Sequence, residues 1–441
     1  MNTASSHLPT TTAARRVQRA WSMYDWANSA YNLVITSTIF PAYYNAVTTV
    51  SKDGVVVSDM VSFFGIQVKN SALFDYSIAA AYLVIALLSP ILSSIADAQG
   101  SKKRFMQLFC YMGAISCCCL YFFTRHTLEL GIICSSIAAL GYCGSLVFYN
   151  SYLPEIALPP DRHRVSAQGF AYGYIGSVLL QLICFLFVLQ PALFGITDDS
   201  FAPRLSFVLV GLWWIGFAQI PFARLPASTA IPSAPGSSVL SNGFKELRKV
   251  WQQIRHLPRL KTYLLSFFFY SMGVQTVMLA ATIFGSKELK LETSQLIGAI
   301  LVIQLVAIAG AYLMAKLSDK FGDLPVLFVV VLVWIGVCIG AYYTYTATQF
   351  YIVAAVVGII MGGIQSLSRS TYSRLMPPTH DTTSFFSFYD VTEKLAIVIG
   401  MLSFGFIDSI LNMRTAIIAL IGFFAIGAII LFLAMRTPDS N

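Results

Sequence analysis

Hydrophobic residues occur along the chain in long stretches that alternate with short polar segments. A helix needs about 20 mostly apolar residues to span the hydrocarbon core of a bilayer. Twelve stretches are long enough: 22–48, 72–96, 105–123, 131–153, 166–190, 205–222, 262–284, 295–315, 325–347, 350–373, 384–409 and 415–435. The pattern predicts an all-α integral membrane protein with two six-helix bundles, 22–222 and 262–435. Polar tails over 1–21 and 436–441 flank the bundles.

The composition agrees with a chain embedded in lipid. Hydrophobic residues make up 57% of the sequence and charged residues 11%, with a mean hydropathy of +0.71, whereas a typical soluble protein has about 25% charged residues. A soluble enzyme, a disordered chain and a nucleic-acid-binding protein are therefore excluded. The sequence has no nucleophile, zinc-protease or phosphate-binding motif, and its histidines and cysteines lack metal-ligand spacing. We therefore expect no enzymatic activity, no cofactor and no metal.

Basic residues are distributed unequally between the two sides of the predicted membrane. With both termini in the cytoplasm, 20 of the 28 Lys and Arg residues fall in cytoplasmic segments and 7 in outer segments. Because cytoplasmic segments carry an excess of basic residues, we predict an inner (plasma) membrane protein with both termini in the cytoplasm. The net charge of +8 then reflects contact with anionic lipid and not with nucleic acid.

A cytoplasmic linker over residues 223–261 separates the two predicted bundles. Its segment 226–242 is rich in Pro and Ser, and apolar residues recur at helical spacing between Phe244 and Leu257. This spacing predicts an amphipathic helix on the cytoplasmic membrane face. A helix that packs on a soluble partner is the alternative.

Two sequence landmarks occur in both halves. Asp97 follows the second hydrophobic stretch and Asp319 follows the eighth, 222 residues later. Pro159 follows the fourth stretch and Pro377 follows the tenth, 218 residues later. The similar offsets predict an internal duplication whose two copies have the same orientation in the membrane.

With these landmarks the chain resembles the major facilitator superfamily (MFS), in which an Asp-x-x-Gly loop with basic residues follows the second helix of each half. The resemblance implies twelve helices and a gating loop that latches the halves. The corresponding residues are Asp97, Gly100 and Lys102 in the first copy and Asp319, Lys320 and Gly322 in the second. The second copy departs from the family pattern at Asp323, where a basic residue is usual.

Finer motifs narrow the resemblance to one branch. They are Trp21-Ser22-Met23-Tyr24-Asp25-Trp26, Gly169-Phe170-Ala171-Tyr172-Gly173, Gln365-Ser366-Leu367-Ser368-Arg369 and Phe386-Ser387-Phe388-Tyr389-Asp390. They are similar to bacterial relatives of the fungal vacuolar amino-acid effluxer and span nearly the whole chain. This resemblance implies a secondary transporter of amino-acid effluxer type.

Polar residues follow one face of the first predicted helix. Asp25, Asn28 and Asn32 are spaced i, i+3 and i+7, which places them on one side of an α-helix. Polar groups in lipid are costly unless they are wetted or paired. The spacing therefore predicts the wall of a substrate path. The alternative is a structural anchor in which Asp25 pairs with an interfacial base.

Charged residues also lie within the eleventh predicted helix. Asp390, Glu393 and Lys394 share one helical face, so Lys394 can neutralise one carboxylate while the other stays free. A carboxyl group in such a low-dielectric surrounding is a candidate for proton coupling. A purely structural ion pair is the alternative.

Further substrate-path candidates lie on two other helices. Gln365, Ser368 and Arg369 share a face of the tenth predicted helix, and Tyr149 lies on the fourth. Arg369 could bind a substrate carboxylate with two hydrogen bonds, or it could extend to the cytoplasm. Tyr149 could contact substrate or simply pack.

Together these features predict alternating-access transport of a small polar solute such as an amino acid, with proton-coupled efflux. No nucleotide-binding motif occurs, so the energy has to come from a gradient. We expect a monomer that contacts the solute, protons and the bilayer. The rival hypothesis is a non-transporting membrane sensor or scaffold on the same fold. The sequence does not decide which acidic residue carries a proton.

Overall fold

The computed structural model describes residues 11–52, 55–227 and 239–438, so parts of both predicted tails and of the Pro/Ser-rich linker lie outside the described residues. The first half contains α1 (Thr11–Ala30), α2 (Ile39–Thr48), α3 (Asn70–Gln99), α4 (Lys102–Cys119), α5 (Leu128–Asn150), α6 (Leu153–Ile156), α7 (Arg162–Leu189) and α8 (Phe201–Arg224). The linker helix is α9 (Val239–Arg255). The second half contains α10 (Pro258–Lys287), α11 (Thr293–Phe321), α12 (Asp323–Tyr342), α13 (Ala347–Leu375), α14 (Thr382–Ile410) and α15 (Met413–Arg436).

Ten of the described helices are long and apolar enough to cross a membrane, and they coincide with ten of the predicted spans. The first predicted span is instead broken into separate helical segments, and the eleventh corresponds to α14, whose middle carries Asp390, Glu393 and Lys394. The all-α membrane fold is confirmed. The count of twelve spans stays a prediction.

The break in the first span is a π-helix, Tyr31–Ser37, between α1 and α2. At Thr38 the backbone leaves helical geometry, with φ −131° and ψ −84°. The Thr38 hydroxyl lies 2.7 Å from both the Leu33 carbonyl oxygen and Gln181 Oε1. Backbone groups freed inside a membrane need such partners, and π-helical turns are frequent at functional sites.

Two β-hairpins connect α2 to α3, a feature that the hydrophobic pattern did not predict. The antiparallel strands are β1 (Val50–Lys52) with β2 (Val55–Ser58), and β3 (Met60–Phe63) with β4 (Ile66–Lys69). Phe64 and Gly65 have φ of 47° and 84°. Two positive φ angles in a two-residue turn are characteristic of a tight type I′ hairpin.

The predicted linker helix is present as α9, and part of it packs against other helices of the protein. Val250 and Ile254 are buried, and α9 packs on α3, α14 and α10. The Trp251 ring stacks on Phe388 at 5.9 Å, and Lys249 Nζ lies 2.8 Å from Asp381 Oδ2. This part of the apolar face therefore covers helices of the protein itself.

Each half has its own apolar core, and the halves meet through a small set of helices. One core is built from α1–α8, and the other from α9–α15 with Tyr174 of α7. The halves touch where α7 meets α11 and α13 and where α3 meets α14. We call the end at which α3 and α11 finish and α14 begins the latch end.

Candidate functional site

A buried ion pair joins the two halves. Arg369 of α13 places both Nη1 and Nη2 3.3 Å from Asp25 Oδ2 of α1. The two side chains are 4% and 7% exposed. The Tyr149 hydroxyl of α5 donates to the same carboxylate oxygen at 2.8 Å. All three residues were predicted from the sequence as candidates for the substrate path. In the structure, Arg369 and Tyr149 both bind the same oxygen of Asp25.

The guanidinium of Arg369 is saturated by protein groups. Its Nε donates to Ser166 Oγ at 2.9 Å, Nη2 donates to the Ser166 carbonyl at 2.9 Å, and Nη1 donates to Asn150 Oδ1 at 3.1 Å. With the two contacts to Asp25, these bonds occupy its five N–H groups. The guanidinium carbon also lies 4.2 Å from the Phe170 ring and 4.7 Å from the Trp21 ring. Arg369 is therefore enclosed by protein groups, and in this conformation it has no N–H group left for a solute.

A glycine of the motif on α7 makes room for this ion pair. A Cβ atom on Gly169 would lie 2.6 Å from Asp25 Oδ2 and 2.9 Å from Arg369 Nη2. One turn further along, a Cβ on Gly173 would lie 2.5 Å from Ser29 Oγ. Only residues without a side chain allow α7 to approach α1 this closely. We call Asp25, Tyr149, Ser166 and Arg369 the gate cluster.

The first copy of the predicted gating loop also contacts the opposite half. Asp97 Oδ2 accepts from the Ser384 backbone N–H and from its hydroxyl, both at 2.8 Å, and Oδ1 accepts from the Thr383 N–H at 3.3 Å. These N–H groups belong to the first turn of α14, where the helix dipole favours an anion. Gly100 ends α3 with φ 62°, a left-handed conformation that favours glycine.

Lys102 extends this contact. Its Nζ donates to Glu155 and, at 2.8 Å, to Thr382 Oγ1. In the second copy, Asp319 Oδ1 lies 2.7 Å from His163 Nε2 of α7. Gly322 has φ 85°. Lys320 makes no ion pair with a carboxylate among the described residues, and its Nζ lies 5.2 Å from the neighbouring Phe321 ring.

In the described part of the chain, hydrogen bonds between the halves occur at the latch end and in the middle of the molecule. Along α7 and α13, the described hydrogen bond farthest from the latch end joins the Tyr174 hydroxyl to Gln365 Oε1 at 2.9 Å. The others involve the gate cluster, the Asp97 loop, His163, residues 382–387 at the start of α14, and the pair of Arg162 with the Ser373 carbonyl. Among the described residues, hydrogen bonds therefore hold the halves together on the side of the latch end and not at the opposite end.

The three charged residues of α14 form a second group, which we call the charge cluster. Lys394 Nζ lies 3.2 Å from Asp390 Oδ1 and 3.8 Å from Glu393 Oε2, and 5.6 Å from the centre of the Tyr82 ring of α3. Gln275 of α10 donates to Glu393 Oε1 at 3.2 Å. One cation is therefore shared by two carboxylates, and Asp390 Oδ2 has no hydrogen-bond partner among the described residues.

The remaining path candidates have different surroundings. Asn28 is buried and its Nδ2 has no partner in the described part of the chain, whereas Asn32 is exposed. The Ser368 hydroxyl is 2.7 Å from the Tyr270 hydroxyl, which directs it toward α10. Their role in a substrate path stays a prediction.

Comparison with known proteins places the chain in a family. A family model described as "Vacuole effluxer Atg22 like" matches residues 13–438. The chain belongs to this Atg22-like family. It is 33% identical over 417 residues to YxiO of Bacillus subtilis (strain 168), described as an uncharacterized MFS-type transporter, with 94% of each chain covered. It is 25% identical over 455 residues to autophagy-related protein 22 of Eremothecium gossypii, covering 91% of this chain and 87% of the relative.

A solved structure supports the same fold. The human organic anion transporter MFSD10 matches with a TM-score of 0.69 at 14% identity, covering 96% of this chain and 100% of the other. The predicted family resemblance and the MFS fold are thus confirmed. This Atg22-like chain is a multi-pass MFS-type transporter and not an enzyme.

Several partners in these clusters were missed by the sequence analysis. They are Ser166, Asn150, His163, Glu155, Gln275 and Tyr82. Ser166 and His163 lie on α7, the helix that carries the recognised glycine motif, so that motif was the available signal. No pattern within a single helix identifies Gln275 or Tyr82 as neighbours of α14.

Proposed function

We propose that this chain is a proton-coupled secondary transporter that exports a small zwitterionic solute of the amino-acid class by alternating access. In this proposal the gate cluster and the Asp97 loop close the cytoplasmic end, and the charge cluster of α14 binds the solute and the coupling proton. The chain acts as a monomer in the plasma membrane, with both termini in the cytoplasm.

The observation that carries the proposal is the one-sided set of contacts between the halves. Alternating access requires contacts that hold one end closed and separate when the other end closes. The ion pair between Asp25 and Arg369, at 3.3 Å, has this character because its two residues belong to different halves. Burial of an ion pair between two separate apolar cores costs desolvation energy. This placement therefore favours a transporter with moving halves rather than a rigid scaffold.

The excess negative charge of the charge cluster favours binding of a cationic group or a proton. Lys394 alone faces Asp390 and Glu393, so the group carries one formal negative charge in excess. The Asp25 and Arg369 charges balance each other. A proton or a solute ammonium group would neutralise the excess on α14, and Lys394 could then release one carboxylate and accept a solute carboxylate.

Glu393 is the better placed of the two acids for exchange with an aqueous path. Its side chain is 26% exposed, whereas that of Asp390 is 8% exposed. Its contact with Gln275 at 3.2 Å also ties it to α10. The word "effluxer" in the family description supports the direction of transport. The amino-acid class rests on the opposite charges of α14, which suit the ammonium and carboxylate groups of a zwitterion.

A binding screen with the purified protein tests the solute class. A ligand at 100 times its Kd stabilises the folded protein by about 2.7 kcal/mol, so an amino acid that binds should raise the melting temperature. Lys394→Met should abolish the response if the solute carboxylate binds there. Arg414→Met is a matched control, because it also removes one cation from an ion pair, with Glu288 at 3.0 Å, away from the charge cluster.

Solute exchange across liposomes completes the test. The proposal predicts that a solute found in the screen exchanges across proteoliposomes without a gradient. If no metabolite binds and none exchanges, while the protein stays folded, the transport proposal fails and the scaffold hypothesis gains support.

A further inference from the structure

A basic cavity lies at the latch end, outside both clusters. It has a volume of about 370 Å³. Its lining comes from α1, α7 and α11: Arg15, Gln18, Arg19, Arg164, Gln168 and Tyr312. All six side chains can donate hydrogen bonds and none is acidic. The lining therefore suits an anion that accepts several hydrogen bonds.

The positive charge of this cavity is largely uncompensated. Arg15 and Arg19 are exposed, and neither pairs with a carboxylate within the described ranges. Arg164 Nη2 lies 2.9 Å from Asp161 Oδ1, with both side chains more than 40% exposed. Such an exposed pair contributes little and leaves Arg164 free to turn toward another anion.

One wall of the cavity continues into an apolar face of α11. Tyr312 is 40% exposed, and Leu305 and Leu313 on the same helical face are 53% and 47% exposed. In a membrane-spanning helix an exposed apolar face contacts lipid chains. The cavity thus joins basic donors to a lipid-facing surface.

We propose that this cavity binds the phosphate group of an anionic phospholipid, with the acyl chains along Leu305 and Leu313. Basic pockets between transmembrane helices on the cytoplasmic side recognise such headgroups. Arg15, Arg19 and Arg164 would hold the phosphate, and Tyr312 would donate from the other half. A free phosphate has the same headgroup chemistry but makes no use of the apolar face.

The position of the cavity gives the bound lipid a second effect, which rests on the proposed alternating access. The lining joins α1 and α7 of the first half to α11 of the second, beside the close contact of Ala167 with Ala311 and Ala315. These elements separate when the latch end opens. A headgroup that bridges them therefore stabilises the conformation in which the latch end is closed.

Lipid retention by the full-length protein tests the site without any transport assay. Native mass spectrometry would compare phosphatidylglycerol with phosphatidylcholine, and a third arm would add inorganic phosphate. Arg15→Gln combined with Arg19→Gln should weaken phosphatidylglycerol binding by about thirtyfold, since each basic residue contributes a factor of about five. Both side chains are exposed, so folding should be unaffected.

A matched control removes the same number of positive charges from an adjacent cavity. Arg16 and Arg224 line a neighbouring cavity of about 390 Å³ built from α1 and α8, within one half. Arg16→Gln with Arg224→Gln should leave most phosphatidylglycerol binding in the first cavity intact. Equal losses of phosphatidylglycerol binding in both double variants would show an effect of general surface charge and overturn the proposal. Displacement of the lipid by inorganic phosphate at equal concentration would also overturn it.

The effect on conformation is measured in nanodiscs with and without phosphatidylglycerol. Cysteines at Ser151 and Thr383, whose hydroxyl oxygens are 3.5 Å apart across the halves, should cross-link faster with the anionic lipid. This gain should vanish in the Arg15/Arg19 variant and persist in the Arg16/Arg224 variant. Lipid binding without any such gain would contradict the bridging effect and leave the binding site standing.

Discussion

Removal of the Asp25 carboxylate should open the latch end of the transporter. Loss of one partner from a buried ion pair costs about 3–5 kcal/mol, because the remaining charge is left buried. In Asp25→Asn, Arg369 keeps its hydrogen bonds to Ser166 and Asn150 and its contacts with the rings of Trp21 and Phe170. These ring contacts already stabilise the Arg369 charge by about 1–2 kcal/mol, so the cost falls below that of a wholly uncompensated charge.

The net loss of about 1–4 kcal/mol applies only to the conformation in which the latch end is closed. The residues of the pair lie in different halves, so an open latch end does not contain the contact. Each 1.4 kcal/mol changes the closed-to-open ratio about tenfold, so this ratio should fall by about fivefold to several hundredfold.

Disulfide formation between cysteines at Ser151 and Thr383 reports this ratio. Their hydroxyl oxygens are 3.5 Å apart, so thiol groups at these two positions would lie within reach of each other. The eight native cysteines have to be replaced first. Asp25→Asn should slow cross-linking. Tyr149→Phe removes one 2.8 Å hydrogen bond to Asp25 within the first half and keeps the ion pair between the halves, so it should leave the cross-linking rate nearly unchanged.

The double variant gives the decisive comparison. Asp25→Asn with Arg369→Gln removes both charges, so its effect should be smaller than the sum of the two single effects. The reasoning is refuted if folded Asp25→Asn protein cross-links as fast as the parent. It is also refuted if the two single effects simply add.

Three further changes probe the rest of the account. Glu393→Gln should abolish uphill transport under a pH gradient and leave solute exchange; loss of both activities with a lower melting temperature would favour a structural ion pair. A cysteine in place of Asn32 should react with small impermeant thiol reagents and be protected by solute, and an unreactive thiol in a folded variant would remove Asn32 from the path. Gly169→Val should displace the Asp25 carboxylate and slow Ser151–Thr383 cross-linking at least tenfold, because the added Cβ would lie 2.6 Å from it. Gly216→Val, with no atom within 4 Å of the added Cβ, should leave cross-linking unchanged.

The helices of this protein were predictable because lipid imposes a simple rule on length. The stretch 72–96 corresponds to Asn70–Gln99 and the stretch 350–373 to Ala347–Leu375, since a span must satisfy all its backbone groups within one helix. The contact of Lys394 with Asp390 was predictable in the same way. Residues spaced i, i+3 and i+4 meet wherever the helix packs.

Contacts between helices were not predictable in this way. The charge of Arg369 was recognised, but its partner Asp25 is 344 residues away and no spacing rule links the two. The prediction of a single polar face on the first span assumed a continuous α-helix. The π-helix at Tyr31–Ser37 changes the rotation per residue, and Asn28 is buried while Asn32 is exposed.

Accumulation of a labelled solute in proteoliposomes under an imposed pH gradient tests the central claim most directly. The solute would be an amino acid identified in the binding screen, and vesicle pH would be followed in the same experiment. The account predicts uphill solute movement accompanied by a stoichiometric opposite proton flux, with both abolished by a protonophore. Accumulation that is unchanged when the gradient is collapsed, or a pH gradient that drives no movement of any bound solute, would contradict proton-coupled transport.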